Sequence, residues 1–444
     1  MLKRFLALVL CVLVVTTLLP SAHLAGKPVL LALGDSVATG YGLADTGLSY
    51  PALLADTLGA TLDNCAINGQ TSGELLAALQ SGRYDDALRS ASVITLSIGA
   101  NDLLRELSSK NAASGMTSAL YREIISQLSG KEADSQVIYK IASQFAENFN
   151  SILAYIAKKS PGVPVIANNI FNPYIGQAFT LGTSVFDLGS FAEVWITPLN
   201  AAFPISANYI LVDIHSVIDS VGLTNADILN GGYDPHPNAA GHRLIADAVM
   251  SAVPLTTYLT LACSDVSASD WYRIPAYYTL SRSIFNRTSH FQPNSILTRG
   301  GFVRALGRYA GMNANDYRGN TGFSDVPATR SDAAYILWAS TLGITKGTGN
   351  GKFSPDASVT REQLCVLLYQ YLSASAALSF KDRKVAFTDT KRISVWARTA
   401  VSTVASLGLI RGNADGSFDP QGTATRAELA TILLRLHNLE ARGG

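Results

Sequence analysis

The sequence predicts an α/β domain built on a central parallel sheet, followed by a mainly helical repeat region. Residues 28 to about 253 alternate short apolar runs with helical patterns. The runs are continuously apolar, as expected for a parallel sheet covered by helices on both faces. Beyond Pro254 an internal repeat sets in. A chain of 444 residues is also too long for one ordinary core.

The expected strands are Pro28–Leu33, Ser92–Ile98, Val165–Asn169 and Tyr209–Ile214, and the expected helices include Tyr50–Leu58, Gly73–Leu79, Val137–Lys158 and Asn238–Met250. Their alternation gives a three-layer arrangement. The polar stretch Leu103–Ser135 reads as a helical surface insertion, with a substrate wall or lid as the alternative. Ahead of the first strand, Lys3 and Arg4 precede the apolar run Phe5–Leu19 and the small-residue segment up to Ala25. That order is the one expected of a secretory signal, taken as residues 1–25, with cleavage after Ala25 or Ala22; an uncleaved membrane anchor is the alternative.

Composition narrows the function classes. Charged residues make up 15% of the chain and the net charge is +1, which gives no electrostatic reason to expect nucleic acid. Cys65, Cys263 and Cys365 remain after the leader, widely spaced and odd in number, and read as buried free thiols.

Four short motifs carry chemistry. Gly34-Asp35-Ser36 follows the first strand, placing a serine hydroxyl at the carboxyl edge of the sheet, where α/β ligands bind. Gly69, Gly99-Ala-Asn101-Asp102 and Asp234-Pro-His236-Pro237 follow. A serine hydroxyl needs a base within reach, and an acyl-transfer intermediate needs donors aimed at its oxygen. Ser36 is then the nucleophile and His236 the base. The amides of Ser36 and Gly69 and the side chain of Asn101 would form the oxyanion hole. Glycine suits a close backbone approach to the acyl group. Taken singly, each has a plain alternative as a turn or a helix cap. No metal-ligand spacing accompanies these residues, so neither a metal nor another cofactor is expected. His215, at the end of a strand, and His242, inside the helix after the last motif, are read as structural.

The four motifs, in this order, resemble the blocks of the SGNH (GDSL-type) hydrolases, and the match covers about residues 28–253, within a domain taken as 26–253. The resemblance implies a flavodoxin-like sandwich and esterase or lipase activity on acyl esters. One position departs from it. The family's last block sets an aspartate three residues before the histidine, where this chain has Tyr233. Asp234 is taken as the acid that orients His236. The alternatives are another carboxylate such as Asp227, or a dyad.

In the repeat region, Ser264-Asp265-Val266 recurs as Ser324-Asp325-Val326 and, altered, as Thr388-Asp389-Thr390. Thr298-Arg299 recurs as Thr360-Arg361 and Thr425-Arg426, each pair preceded by Phe-x-Pro at Phe291, Phe353 and Phe418. Thr425 with Glu428 forms a capping-box pattern, where the second copy offers Gln363 and the first Gly301. The triplet resembles S-layer homology (SLH) modules, with copies at about 259–318, 319–380 and 381–444. That resemblance implies attachment of a secreted protein to the bacterial cell wall or S-layer. Its ligand would be a secondary wall polysaccharide, a pyruvylated one in the family, bound through Arg299, Arg361 and Arg426. Guanidinium pairs bidentately with carboxylate, which makes that role physically sound. The first copy departs most, with Ser283-Ile-Phe-Asn-Arg287 and Gly300-Gly301. The third copy is therefore expected to be the most complete groove, and the second next.

The combined expectation is a wall-anchored serine esterase. Two alternatives stand beside it: a wall-bound structural or carbohydrate-binding protein with a disabled site, motivated by Tyr233, and a polysaccharide O-deacetylase.

Overall fold

The computed structural model describes residues 26–109, 135–181, 183–220, 225–230, 234–374 and 385–442. The expected leader 1–25, most of the expected insertion (110–134) and Tyr233 lie outside the described residues. Five parallel strands, β1 (Val29–Gly34), β2 (Thr61–Asn64), β3 (Val93–Ser97), β4 (Val165–Asn168) and β7 (Ile210–Val212), form a sheet in the order β2-β1-β3-β4-β7. Counted among themselves, these strands run 2-1-3-4-5, the flavodoxin-like order, whose switch point lies between β1 and β3. A separate antiparallel hairpin pairs β5 (Ala178–Leu181) with β6 (Ser184–Asp187).

The helices that position the site are α1 (Ser36–Thr39), α2 (Tyr50–Leu58), α3 (Ser72–Gln80), α4 (Ala100–Ser109), α5 (Ser135–Lys159), α6 (Leu188–Ala201), α7 (Ile214–Ser220) and α8 (Ala239–Ala252). β1 and β3 bury almost every side chain, which is why their sequences are apolar without alternation. β2 sits at an edge and is only half buried. Its sequence lacks the apolar signal, and sequence reading passed over it. The hairpin and α6 were likewise not anticipated. The last expected strand is shorter than predicted, because the chain turns into α7 at Ile214. His215 therefore lies on a helix, not at the end of a strand.

The repeat region contributes α9 (Arg273–Ser281), α10 (Arg299–Tyr309), α11 (Ala333–Thr341), α12 (Arg361–Ala374), α13 (Arg398–Ser406) and α14 (Arg426–Glu440). The recurring aspartate and the Phe-x-Pro motif are partners in each copy. Asp265 accepts the amides of Phe291 and Gln292, both at 2.6 Å. Asp325 accepts those of Phe353 and Ser354 at 2.9 and 2.8 Å, and Asp389 those of Phe418 and Asp419 at 2.7 and 2.8 Å. The middle residues Gln292, Ser354 and Asp419 are held at φ 58°, 59° and 53°. A side chain disfavours that left-handed conformation, so the carboxylate stabilises a turn the backbone would otherwise resist.

The copies close into a ring. Leu297 N–H donates to Ala424 O (2.9 Å), Ala424 N–H to Val359 O (3.2 Å), and Val359 N–H to Leu297 O (3.0 Å). One arginine per copy then reaches across to the next: Arg299 lies over Phe353, Arg361 over Phe418, and Arg426 over Phe291.

The two regions share a junction at the sheet edge. Asn438 on α14 accepts the Leu211 N–H (2.9 Å) and donates to Ser206 O (2.8 Å) and Tyr209 O (2.9 Å). His437 Nε2 donates to Leu211 O at 2.9 Å. Burial pushes the His437 imidazole down to about 4, so it serves here as a neutral donor. The exposed backbone groups of an edge strand are thus satisfied by a helix, which protects the edge from other partners.

Candidate active site

Ser36 opens α1, the short helix that follows β1. Gly34 has φ 129°, and a Cβ there would fall 1.9 Å from Ser97 O, so only glycine lets β1 pass this close to β3. Asp35 then donates its amide to Ser97 O (2.9 Å) and caps α1 by accepting Val37 N–H at 3.1 Å. Burial pushes the Asp35 carboxyl up to about 7, against the opposing hydrogen bonds from Val37 and Ser97.

His236 approaches from the loop before α8. Asn238 caps that helix by accepting the amides of Ala240 (2.9 Å) and Gly241 (3.1 Å), and it also donates to Leu229 O (2.9 Å). This double grip fixes the turn that presents the imidazole. The sequence places Asn238 as the first residue of the expected helix; it is instead the residue before it, where asparagine is a cap signal.

The three side chains stand in one line of contacts. Ser36 Oγ lies 3.0 Å from His236 Nε2, and His236 Nδ1 lies 2.5 Å from Asp234 Oδ1. Asp234 also accepts the His236 amide at 3.0 Å, so the one-residue shift relative to the family pattern is absorbed by a tight turn. Burial works against charge on Asp234, but the His236 amide, the imidazole and Asn230 outweigh it and hold the carboxyl below its ordinary value. The alternative acid Asp227 is exposed, and no contact of its side chain with His236 is found among the described residues.

The expected oxyanion donors converge on the same place. Ser36, Gly69 and Asn101 all line one cleft with His236. Asn101 Nδ2 donates to Gln70 O at 3.2 Å, and Arg105 Nη2 to Gly69 O at 2.9 Å, tying the Gly69 loop to α4. Asp102 accepts the Ser72 amide at 2.8 Å and its hydroxyl, which holds the start of α3 to the same helix. Gly69 carries a φ of 73°, and nothing lies within 4 Å of a Cβ built there. The protein around Gly69 therefore leaves room for a side chain, and what calls for glycine is the backbone conformation rather than crowding.

The cleft measures about 600 Å³ and is mostly apolar. Leu103 and Leu104 of α4 form one wall, so the expected insertion does border the cleft over its described part. Phe191, Ala192, Trp195 and Ile196 of α6 form another. This second wall was missed from sequence, because α6 is far from the four motifs and carries no motif of its own. Tyr41 stands beside His236, with ring centroids 4.7 Å apart.

The remaining histidines lie elsewhere. His242 is fully buried in α8, accepts the Tyr50 amide at 3.2 Å, and is pushed down to about 4 by burial and by His236. His215 bonds Glu193 Oε1 at 2.9 Å and faces Asp219 at 3.7 Å. Burial opposes a charged His215, but Glu193 and the aspartates raise it above the ordinary histidine value. Among the described residues, Glu193, His215 and Asp219 form a grouping with metal-ligand spacing, their ligand atoms within 4.8 Å of one another. None of the three lines the cleft. Cys263 and Cys365 are buried free thiols, whereas Cys65 is only half buried.

A hydroxyl, an imidazole and a carboxylate stand in sequence at the switch point of a flavodoxin-like sheet and beside an apolar cleft, the arrangement that serine hydrolases use. Residues 32–244 match the GDSL-like Lipase/Acylhydrolase family, and residues 322–365 and 386–430 match the S-layer homology domain. The chain thus carries one stretch that matches the GDSL-like Lipase/Acylhydrolase family and, after it, two stretches that match the S-layer homology domain. It is similar to an amylopullulanase of Thermoanaerobacterium thermosulfurigenes, 33% identical over 33% of this chain and 8% of that one. It is also similar to a cellulosome-anchoring protein of Acetivibrio thermocellus, 36% identical over 20% of this chain and 19% of that one. The S-layer protein sap of Bacillus anthracis is 28% identical over 27% of this chain and 14% of that protein. The chain spans less than a fifth of the length of these curated relatives. Among solved structures, a lipase from a goat rumen metagenome is 20% identical with a TM-score of 0.38, covering 51% of this chain and 97% of that one.

Proposed function

We propose that the protein is a cell-surface serine hydrolase that cleaves acyl esters and is held at the wall by its repeats. The observation that carries the catalytic half is the continuous contact Ser36–His236–Asp234 at 3.0 and 2.5 Å, opening onto an apolar cleft. In this reading His236 Nε2 takes the Ser36 proton as Oγ attacks the ester carbonyl. Asp234 holds the Nδ1–H tautomer and stabilises the imidazolium. The amides of Ser36 and Gly69 and the Asn101 side chain receive the developing oxyanion. The proton then passes to the departing alkoxide, and a water activated by His236 releases the acid. Leu104, Phe191 and Trp195 offer the acyl chain an apolar bed.

The S-layer homology domains supply the anchor, with a wall polysaccharide carrying acidic groups as the partner. Arg299, Arg361 and Arg426 are the candidates for its recognition, and a pyruvylated sugar fits their chemistry. The domain limits follow the repeats: export leader 1–25, hydrolase domain 26–253, and anchor copies 259–318, 319–380 and 381–444.

The test is hydrolysis of p-nitrophenyl esters from acetate to palmitate by residues 26–444 beside Ser36→Ala. Serine-dependent turnover is expected, and its absence across the series would remove the catalytic half of the proposal.

A further inference from the structure

The segment that presents His236 is held by a short antiparallel pairing with residues 228–230. Leu229 bridges Pro237, the Asn230 amide donates to His236 O (3.1 Å), and the Asn238 amide donates to Ile228 O (2.9 Å). This register sets Asn230 opposite His236. The Asn230 side chain then donates to the Asp234 carboxylate. Asp234 therefore accepts from the His236 amide (3.0 Å), from His236 Nδ1 (2.5 Å) and from the Asn230 side-chain amide. The first two donors belong to the residue that Asp234 orients. Asn230 brings a donor from outside it.

The loop after α1 closes on the same group from the other side. The Tyr41 amide donates to Ser36 O (3.0 Å), and the Tyr41 ring lies beside the His236 imidazole. The next residue, Gly42, has φ 87°, and a Cβ there would fall 2.3 Å from Asn230 Nδ2. The backbone passes that close only because the position carries no side chain. One loop thus backs both the imidazole and the amide that holds its acid. Asp234 is partly exposed, so water competes for its carboxylate. A donor fixed by backbone pairing keeps that carboxylate turned toward the ring.

We propose that Asn230 is the positioning residue that lets Asp234 serve as the acid from its shifted place, two residues before the histidine rather than three. Asn230 does not line the cleft, so it acts on the reaction through Asp234 and not on the substrate. It fixes the Asp234 rotamer, and through it the Nδ1–H tautomer of His236 and the direction in which Nε2 meets Ser36 Oγ. The inference rests on reading Ser36, His236 and Asp234 as the catalytic residues. It adds to that reading a second segment, 228–230, on which the geometry of the acid depends.

The experiment is steady-state hydrolysis of p-nitrophenyl butyrate by residues 26–444 across pH, with the melting midpoint as a check on folding. Asn230→Ala is expected to lower kcat by about tenfold with KM nearly unchanged. Asn230→Asp keeps the shape but sets a second negative charge beside Asp234. That charge favours the imidazolium, so the acid limb of kcat/KM should move up by about one pH unit. Added to Asp234→Asn, Asn230→Ala should cost less than about twofold more, because the acid it positions is already gone. Losses that multiply in the double variant, or an acid limb that stays in place in Asn230→Asp, overturn the positioning role while Ser36-dependent turnover stands. A kcat for Asn230→Ala within about twofold of wild type overturns it as well. A wild-type chain without Ser36-dependent turnover overturns the catalytic reading and this inference with it.

Discussion

Asn438 helps tie the last helix of the repeats to the edge of the parallel sheet, and its removal should destabilise both halves together. It is fully buried, and its three hydrogen bonds satisfy Leu211 N–H, Tyr209 O and Ser206 O. Asn438→Ala leaves the first two of these groups buried without partners, since Leu211 and Tyr209 are also fully buried. At about 1–3 kcal/mol for each such group, the loss is roughly 2–6 kcal/mol. Total stability is of the order of 5–15 kcal/mol, so this is a large fraction of it. At roughly 2 °C per kcal/mol for a unit this large, the midpoint should fall by about 4–12 °C. Two probes should report it in one heating experiment. Residual ester hydrolysis follows the catalytic domain, and tryptophan fluorescence is weighted to the repeats, which hold Trp271, Trp338 and Trp396. Both curves should shift by the same amount. Asn438→Asp keeps the acceptor but turns a carboxylate toward two carbonyls, so it should be at least as damaging. A midpoint within 1 °C of wild type, or fluorescence that shifts while hydrolysis does not, would refute the argument that the two regions stand on one edge.

Four further outcomes follow from the site. Ser36→Ala should lower ester turnover by about 10⁴-fold or more, read as kcat on a short-chain p-nitrophenyl ester. Asp234→Asn should lower kcat by about 10⁴-fold with KM nearly unchanged, because an amide cannot hold the required tautomer; a loss under tenfold would point to another acid. Ala192→Phe should fill the cleft wall and move the preferred ester toward shorter acyl chains, seen across the acetate-to-palmitate series. Asp35→Asn tests the buried carboxyl. Its folded pKa is raised to about 7 from 3.8, so the folded state holds more protons than the unfolded chain across that window and wild-type stability falls as pH rises through it. Relative to wild type, the variant should therefore gain a few kcal/mol between about pH 4 and 8 in urea unfolding; an unchanged difference would mean that Asp35 is ionised throughout.

What was legible in the sequence was local. Ser36, Gly69 and Asn101 each follow closely on a strand, and two of the three strands concerned, β1 and β3, announce themselves by continuous apolar runs. The cleft wall on α6 was not legible, because Ala192 and Trp195 meet Ser36 only after the sheet has brought distant segments together. β2 escaped because an edge strand needs no continuous apolar run. In the repeats the motifs were visible as separate words, Ser-Asp-Val and Phe-x-Pro, while the bond between them was not. A carboxylate that stabilises a left-handed turn some 26 residues later leaves no periodic trace. Ring closure is more hidden still, since it decides which copy each arginine faces. Gly301 shows the consequence. Read along the chain it is a missing cap residue in a weak repeat. Set beside Arg426, the same absence leaves the ring without the carboxylate that Glu428 brings to Arg361. Glu428 of the third copy holds Arg361 of the second at 2.6 Å, and that bond between copies adds order to the ring.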